Sequence, residues 1–243
     1  MGSGGGFLGR SVLVTGGTGG IGRAIAEAFA AEGAEVAVTG LTEAEAAPLR
    51  GETGIRAAHA LDVADESAVE RLAADLGRLD VLVNAAGMIL RNGLEFEPEG
   101  FERVVDVNLV GTMRVCRACR ALLGTRGGSI VNLASMLSTF GSGFVPAYSA
   151  SKGGIVQLTR SLAIAWASEG IRVNAIAPGW IDTALTRPLV DDPSRSSAIV
   201  ARTPLGRWGR PEDVTGAALF LCSPAAAFIT GVVLPVDGGY SIA

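Results

Sequence analysis

Seven short apolar runs, rich in β-branched residues, recur along the chain. They are SVLVT (11–15), EVAVTG (35–40), AAHALDV (57–63), LDVLVNAAG (79–87), GSIVNLAS (128–135), IRVNAIAPG (171–179) and GVVLPVDGG (231–239). In most of them the apolar residues run on without alternating with polar ones. A strand covered on one face alternates, whereas a continuous run belongs to a parallel strand buried on both faces. Between the runs lie alanine-rich stretches with helical spacing, such as GRAIAEAFAAEG, ESAVERLAADLG and GIVQLTRSLAIAWASEG. Each ends at a glycine, the residue that commonly follows a helix C-terminus. This alternation predicts an α/β fold, a doubly wound parallel sheet of about seven strands with helices on both faces. No linker, repeat or low-complexity block interrupts residues 8–243, so one domain is expected after a flexible glycine-rich tail of residues 1–7. Ligands of such sheets bind beyond the carboxyl ends of the strands, which directs attention to the segments that follow them.

Composition narrows the function classes. The 243 residues are 49% hydrophobic and 18% charged, enough for a sizeable core and unlike a disordered chain. The formal net charge is -4 and no Lys/Arg run stands out, so neither nucleic acid nor an anionic membrane is an expected partner. No apolar run approaches the ~20 residues of a spanning helix. The opening MGSGGGFLGR lacks the apolar segment of a signal peptide, and a cytoplasmic location is the expectation. The three cysteines fit reduced thiols. Cys116 and Cys119 have the spacing of a redox pair or half a metal site. Their surroundings, MRVCRACRALL, read as helix, and no second Cys/His pair exists, so no metal is expected. The single histidine, His59, lies in an apparent strand and reads as structural.

The first strand runs into TGGTGGIGRAIA, where Gly16, Gly20 and Gly22 frame a turn that opens into a helix. Glycine lets backbone approach a ligand closely, and a helix start offers unpaired N–H groups that suit a pyrophosphate. An ordinary strand-to-helix turn is the alternative, but the strand–turn–helix setting is the one that dinucleotide binding requires. Further on, AYSASKGG places Tyr148 four residues before Lys152, on one face of a helix. By spacing alone this pair could be incidental.

Five motifs in order change that reading. Thr15-Gly16-x-x-x-Gly20-Ile21-Gly22, Asn84-Ala85-Ala86-Gly87, Ser135, Tyr148-x-x-x-Lys152 and Pro178-Gly179 together resemble the short-chain dehydrogenase/reductase family. The resemblance extends from about Leu8 to the end of the chain and implies a Rossmann-type fold, NAD or NADP as cofactor, and hydride transfer at an alcohol or ketone. It implies that Thr18, Gly19, Gly20, Ile21 and Gly22 surround the pyrophosphate, and that Asp62 and Val63 meet the adenine. It also implies that Asn84, Ala85 and Gly87 line the cofactor, and that Pro178, Gly179, Ile181 and Thr183 hold the nicotinamide carboxamide. The matching catalytic positions are Asn108, Ser135, Tyr148 and Lys152. Tyr148 would act as general acid in reduction and base in oxidation. Its hydroxyl, with an ordinary pKa of about 10, needs nearby positive charge, which Lys152 supplies. Lys152 would also bind the nicotinamide ribose, Ser135 the substrate oxygen, and Asn108 a water leading to solvent.

The family's NAD-type aspartate would fall at Gly40 and its common NADP-type arginine at Leu41, and neither is present. Glu43 and Glu45 follow and would repel a 2′-phosphate if they face it, so the balance tips to NAD. RTPLGRWGRPEDVTG and VDGGY resemble the branch containing gluconate 5-dehydrogenases and 2-deoxygluconate 3-dehydrogenases. That implies a sugar acid or polyol. Ser138, the competitor of Ser135, is assigned to the substrate pocket, as is Trp180. The segment of about 184–204, rich in Thr, Arg, Pro and Asp, fits a mobile lid, on which Arg187 and Arg202 are either substrate contacts or surface charges. The alternatives are a 3-oxoacyl-thioester (acyl carrier protein) reductase, a broad ketoreductase, a non-catalytic dinucleotide sensor, and redox chemistry at Cys116 and Cys119. Family members commonly assemble as homotetramers through the helices here at about 98–124 and 147–169.

Overall fold

The structure is a computed structural model describing residues 6–125 and 127–243. Its strands are β1 (Ser11–Thr15), β2 (Glu35–Gly40), β3 (Ile55–Ala60), β4 (Val81–Asn84), β5 (Ser129–Leu133), β6 (Arg172–Pro178) and β7 (Val233–Val236). They form one seven-stranded parallel sheet in the order β3-β2-β1-β4-β5-β6-β7. Successive side chains point to opposite faces of a strand. Val12 and Val14 of β1 therefore enter one core layer and Leu13 the other, and β4 divides Val81 and Val83 from Leu82 in the same way. Each of the two layers is covered by helices, which is why the strand sequences carry apolar residues at consecutive positions.

On one face lie α1 (Gly20–Ala31) and α9 (Glu212–Cys222), and on the other α3 (Glu66–Leu76), α5 (Gly111–Gly124) and α6 (Pro146–Trp166). Shorter helices complete the chain: α2 (Glu43–Ala46), α4 (Pro98–Val105), α7 (Arg187–Val190) and α8 (Pro193–Arg202). Strand order reverses between β1 and β4, where Thr15 pairs with Asn84. Such a reversal leaves a crevice beyond the strand ends.

Four details depart from the sequence expectation. β3 ends at Ala60, not Val63, because Leu61 N–H makes its last sheet-like bond to Gly40 O (2.8 Å) and the Asp62 carboxylate then accepts Ala64 N–H (2.9 Å) in a turn. Leu61 and Val63 remain buried, so their apolar character continues past the strand. β7 is trimmed to Val233–Val236 by Gly231, Gly238 and Gly239, all at positive φ. The helix expected over 98–124 is split into α4, a π-helical turn at Asp106–Val110, and α5. The packed chain also starts earlier than residue 8. Phe7 is buried edge-to-face on Phe29, with ring centroids 4.8 Å apart, an anchor of about 1.5–3 kcal/mol. Residues 1–5 of the expected tail lie outside the described residues.

Candidate active site

A cleft of ≈ 630 Å³ crosses the carboxyl ends of the central strands. Its floor is the glycine turn after β1. A Cβ on Gly22 would lie 2.3 Å from Gly16 O, so only glycine lets the turn fold back on itself there. Gly19 caps α1 with extended backbone and no side-chain hydrogen bond. The space around its α-carbon is open, and Thr18, Gly19, Gly20 and Ile21 line the cleft. The first N–H groups of a 12-residue helix are thus left for a ligand, the arrangement that binds a phosphate. The residues present fit a dinucleotide.

At one end of the cleft lie Gly40, Leu41, Asp62 and Val63. No side chain leaves the end of β2, yet a carboxylate is there. Glu45 of α2 turns back so that its Oε2 accepts Leu41 N–H (2.9 Å) and the Thr18 hydroxyl (3.5 Å). A Cβ on Gly40 would come within 2.7 Å of Thr18 Oγ1 and 2.9 Å of Glu45 Cβ. Glycine at position 40 therefore makes room for a carboxylate delivered from the helix. Glu43 is turned instead to Arg50, which holds its carboxyl below the usual range.

At the other end lie Ala85, Gly87, Pro178, Gly179, Ile181 and Thr183, with Ser135, Tyr148 and Lys152. Ser135 follows β5 and its Oγ accepts Leu137 N–H (3.1 Å). Lys152 is buried on α6, donating from Nζ to Leu133 O (2.6 Å) and lying 5.6 Å from the Tyr148 ring centroid. Burial pulls the Lys152 ammonium down to about 8. Burial pushes Tyr148 above the ordinary tyrosine value, the Ser135 side chain draws it down by a hydrogen bond, and the Glu95 carboxylate pushes it up. Burial thus favours the uncharged form of both groups: Tyr148 keeps its hydroxyl proton, and Lys152 gives its proton up more readily than a free lysine.

Asn108 stands behind the cleft in the π-helical turn, a local widening of the helix frequent at functional sites. Fully buried, its side chain accepts Met88 N–H (2.8 Å) and donates to Met88 O (3.0 Å) and Ser151 Oγ (3.1 Å). Ser151 in turn donates to Tyr148 O (2.8 Å).

Other expected site residues are elsewhere. Asn84 is buried in the sheet, where its Nδ2 donates to Asn132 Oδ1 (2.9 Å) and Cys116 Sγ (3.2 Å), tying β4 to β5 and α5. Ser138 does not point at the cleft: its hydroxyl donates to Lys152 O (2.8 Å) and accepts Ser135 N–H (3.2 Å), pinning the Ser135 turn to α6. Trp180 lines a separate cleft of ≈ 210 Å³ and packs edge-to-face on Trp208 and Tyr240. Arg187 is paired with Asp182 (2.9 Å), whereas Arg202 stacks over Tyr240 (4.2 Å) and Phe140 (5.4 Å). The expected lid folds into α7 and α8, and Ala184, Leu185 and Thr186 cover part of the main cleft. Cys116 and Cys119 are core residues whose thiols burial pushes up to about 12, and no three-ligand metal cluster exists among the described residues. No described helix is long and apolar enough to cross a membrane.

Sequence reasoning missed Arg103 and Asp106, which line the cleft, and Glu95, which is fully buried beside it. Arg103 and Asp106 lie within a stretch that reads as plain amphipathic helix. In LEFE the apolar Leu94 and Phe96 are exposed and the charged Glu95 is inside, the reverse of what residue type signals.

This chain belongs to the short-chain dehydrogenase/reductase family: a family model described as Enoyl-(Acyl carrier protein) reductase matches residues 16–241. Among individual proteins it is 42% identical to a 2-dehydro-3-deoxy-D-gluconate 5-dehydrogenase of Bacillus subtilis (strain 168), over 96% of this chain and 94% of that protein. It is 40% identical to the 3-oxoacyl-[acyl-carrier-protein] reductase FabG of Escherichia coli (strain K12), over 96% and 98% of the two chains. The crystal structure of a gluconate 5-dehydrogenase from Burkholderia cenocepacia J2315, in complex with NADP and tartrate, superposes with a TM-score of 0.91 at 37% identity, covering 98% of this chain and 97% of that one. The protein is a dehydrogenase/reductase acting on CH–OH groups.

Proposed function

We propose that this protein interconverts a secondary alcohol and a ketone of a sugar acid or polyol, using a nicotinamide dinucleotide, with Tyr148 as the proton donor and acceptor. The observation that carries the reading is the meeting of Ser135, Tyr148 and Lys152 at one end of the glycine-floored cleft, with Asn108 behind them. A nicotinamide bound beside them supplies the hydride in reduction and accepts it in oxidation. Ser135 Oγ holds the substrate oxygen. Tyr148 gives that oxygen its proton, or takes it in the reverse direction. The Lys152 ammonium stabilises the phenolate so formed. Asn108 holds the Met88 backbone and, through Ser151, the first turn of α6, so that these groups keep their places.

The cofactor we assign is NAD. Supporting this, Glu45 sets a carboxylate at the Leu41 N–H, in the end of the cleft beyond β2, and no basic residue occupies positions 19, 40 or 41. The Burkholderia enzyme binds NADP, so the family alone does not decide the choice. A sugar acid is supported by the names of two of the three relatives. A homotetramer joined through the α4–α5 and α6 faces belongs to the same reading. Exposed Phe101, Val110 and Ile164 support it, and light scattering tests it.

Turnover is tested by following absorbance of the reduced cofactor with 2-dehydro-3-deoxygluconate, gluconate, polyols and 3-oxoacyl thioesters, each with both cofactors. Activity on the sugar acids or polyols with NAD is expected. Activity confined to 3-oxoacyl thioesters would replace the substrate assignment.

A further inference from the structure

Glu95 is the one fully buried carboxylate among the described residues, and nothing in the proposed proton transfer uses it. It lies in the one-turn helical segment Leu94–Phe96, between two side chains that face outward. Burying a carboxylate is costly unless hydrogen bonds replace its water. Glu95 has two. Its Oε1 accepts Leu90 N–H (2.9 Å) and its Oε2 accepts Tyr148 N–H (2.8 Å). No arginine or lysine pairs with it among the described residues.

The Tyr148 bond falls at a special place. Tyr148 is the third residue of α6, and the first N–H groups of a helix have no partner within it. An N-cap side chain normally accepts one of them. At α6 the N-cap is Val145, which has no side-chain acceptor. Glu95 fills that role from 53 residues away, and the positive end of a 21-residue helix receives its charge.

The Leu90 bond ties the same carboxylate to the loop after β4. That loop carries Gly87 and Met88, which line the cleft, and Met88 is gripped at both N–H and C=O by Asn108. Two residues after Met88 comes Leu90, and Arg91 beyond it donates to Leu185 O of the lid segment (2.6 Å). The turn at Leu94–Phe96 cannot slide away, because α4 presses on it: a Cβ on Gly100 would lie 1.9 Å from Leu94 O. One rigidly seated carboxylate thus joins the backbone of the cleft loop to the backbone of Tyr148.

We infer that Glu95 is a positioning residue that sets the height of Tyr148 against the loop lining the nicotinamide end of the cleft. It touches neither substrate nor cofactor and acts through the Tyr148 backbone. Misplacing a reacting group by about 1 Å costs on the order of a hundredfold in rate. Glu95→Gln keeps the volume but turns an N–H₂ toward one of the two backbone N–H donors, so one bond becomes a donor–donor contact.

The inference rests on the reading of Tyr148 as the proton donor, and the test separates the two. Wild type, Glu95→Gln, Glu95→Asp and Tyr148→Phe are compared for kcat, KM, NADH affinity by fluorescence titration, and thermal midpoint. The expected result for Glu95→Gln is a kcat at least tenfold down, with KM and NADH affinity within about twofold of wild type. Glu95→Asp keeps the charge but, one methylene shorter, cannot reach both donors, and should also lose kcat with its NADH affinity intact. A kcat within twofold of wild type in either folded variant overturns the inference. So does a parallel loss of kcat and NADH affinity, which marks a merely structural role. If Glu95→Gln fails to fold, Glu95→Asp decides by the same criteria. If Tyr148→Phe turns over normally, the fault lies in the reading of Tyr148, whatever the Glu95 variants do.

Discussion

Asn108→Ala tests the architecture behind the cleft most severely. The substitution removes one acceptor and two donated bonds at a fully buried position. Met88 N–H loses its only side-chain partner at 2.8 Å, and Met88 O loses a donor at 3.0 Å. Ser151 fares better, because it still donates to Tyr148 O (2.8 Å) and loses only a bond it accepted. A buried polar group left unpaired costs ~1–3 kcal/mol. The Met88 N–H and C=O together would cost about 2–6 kcal/mol if fully buried, and since both bonds are only part-buried the expected loss is about 2–4 kcal/mol. Against a native margin of ~5–15 kcal/mol the variant should fold. Urea unfolding of wild type and Asn108→Ala under identical conditions reads the difference directly. The Met88 segment lines the cleft, so kcat should also fall by at least tenfold. An Asn108→Ala protein within about 0.5 kcal/mol of wild type and with wild-type turnover would refute this account of the π-helical turn.

Two further outcomes follow from the charges at the two ends of the cleft. Glu45→Gln should weaken the preference for NADH over NADPH by roughly tenfold, since it removes a negative charge from beside the Leu41 N–H without altering the fold of α2. An unchanged ratio of dissociation constants in fluorescence titrations would sink the assignment of Glu45. The pH dependence has a definite sign. The Lys152 ammonium is held at about 8, below the ordinary lysine value, so the Tyr148–Lys152 pair gives up a proton as pH rises through that region. Reduction needs the proton in place and should decline above about pH 8. Oxidation needs it gone and should rise over the same range. Reduction that keeps increasing to pH 9 would contradict this, and Lys152→Arg, charged throughout, should lose the transition.

Much of the sheet was legible in the chain because its strands are buried on both faces. The runs at 11–15 and 35–40 coincide with β1 and β2 residue for residue. The third run was read too long, since burial of Leu61 and Val63 outlasts the strand ladder and periodicity registers burial alone. The π-helical turn left no mark in the sequence, because its cause is a three-way bond from Asn108 to residues far along the chain. The glycine turn and the Tyr148–Lys152 pair were legible as motifs, and the structure brings them to one cleft. Trp180 and Ser138 were assigned to the substrate by position along the chain. Their side chains turn elsewhere, one to an aromatic cluster and the other to the Lys152 carbonyl. Glu95 was invisible, since a carboxylate flanked by Leu94 and Phe96 looks like a surface residue, and only the fold shows that the pattern is inverted.

The account stands or falls on Tyr148. Its hydroxyl can be removed with little change in shape by Tyr148→Phe, and NADH binding and turnover can then be measured on the same preparation. NADH affinity within a few fold of wild type, together with turnover reduced at least a thousandfold, is the result expected if this hydroxyl moves the proton, since the loss then lies in the chemical step. Turnover within tenfold of wild type would contradict that role and return the question of the proton donor to the other groups of the cleft.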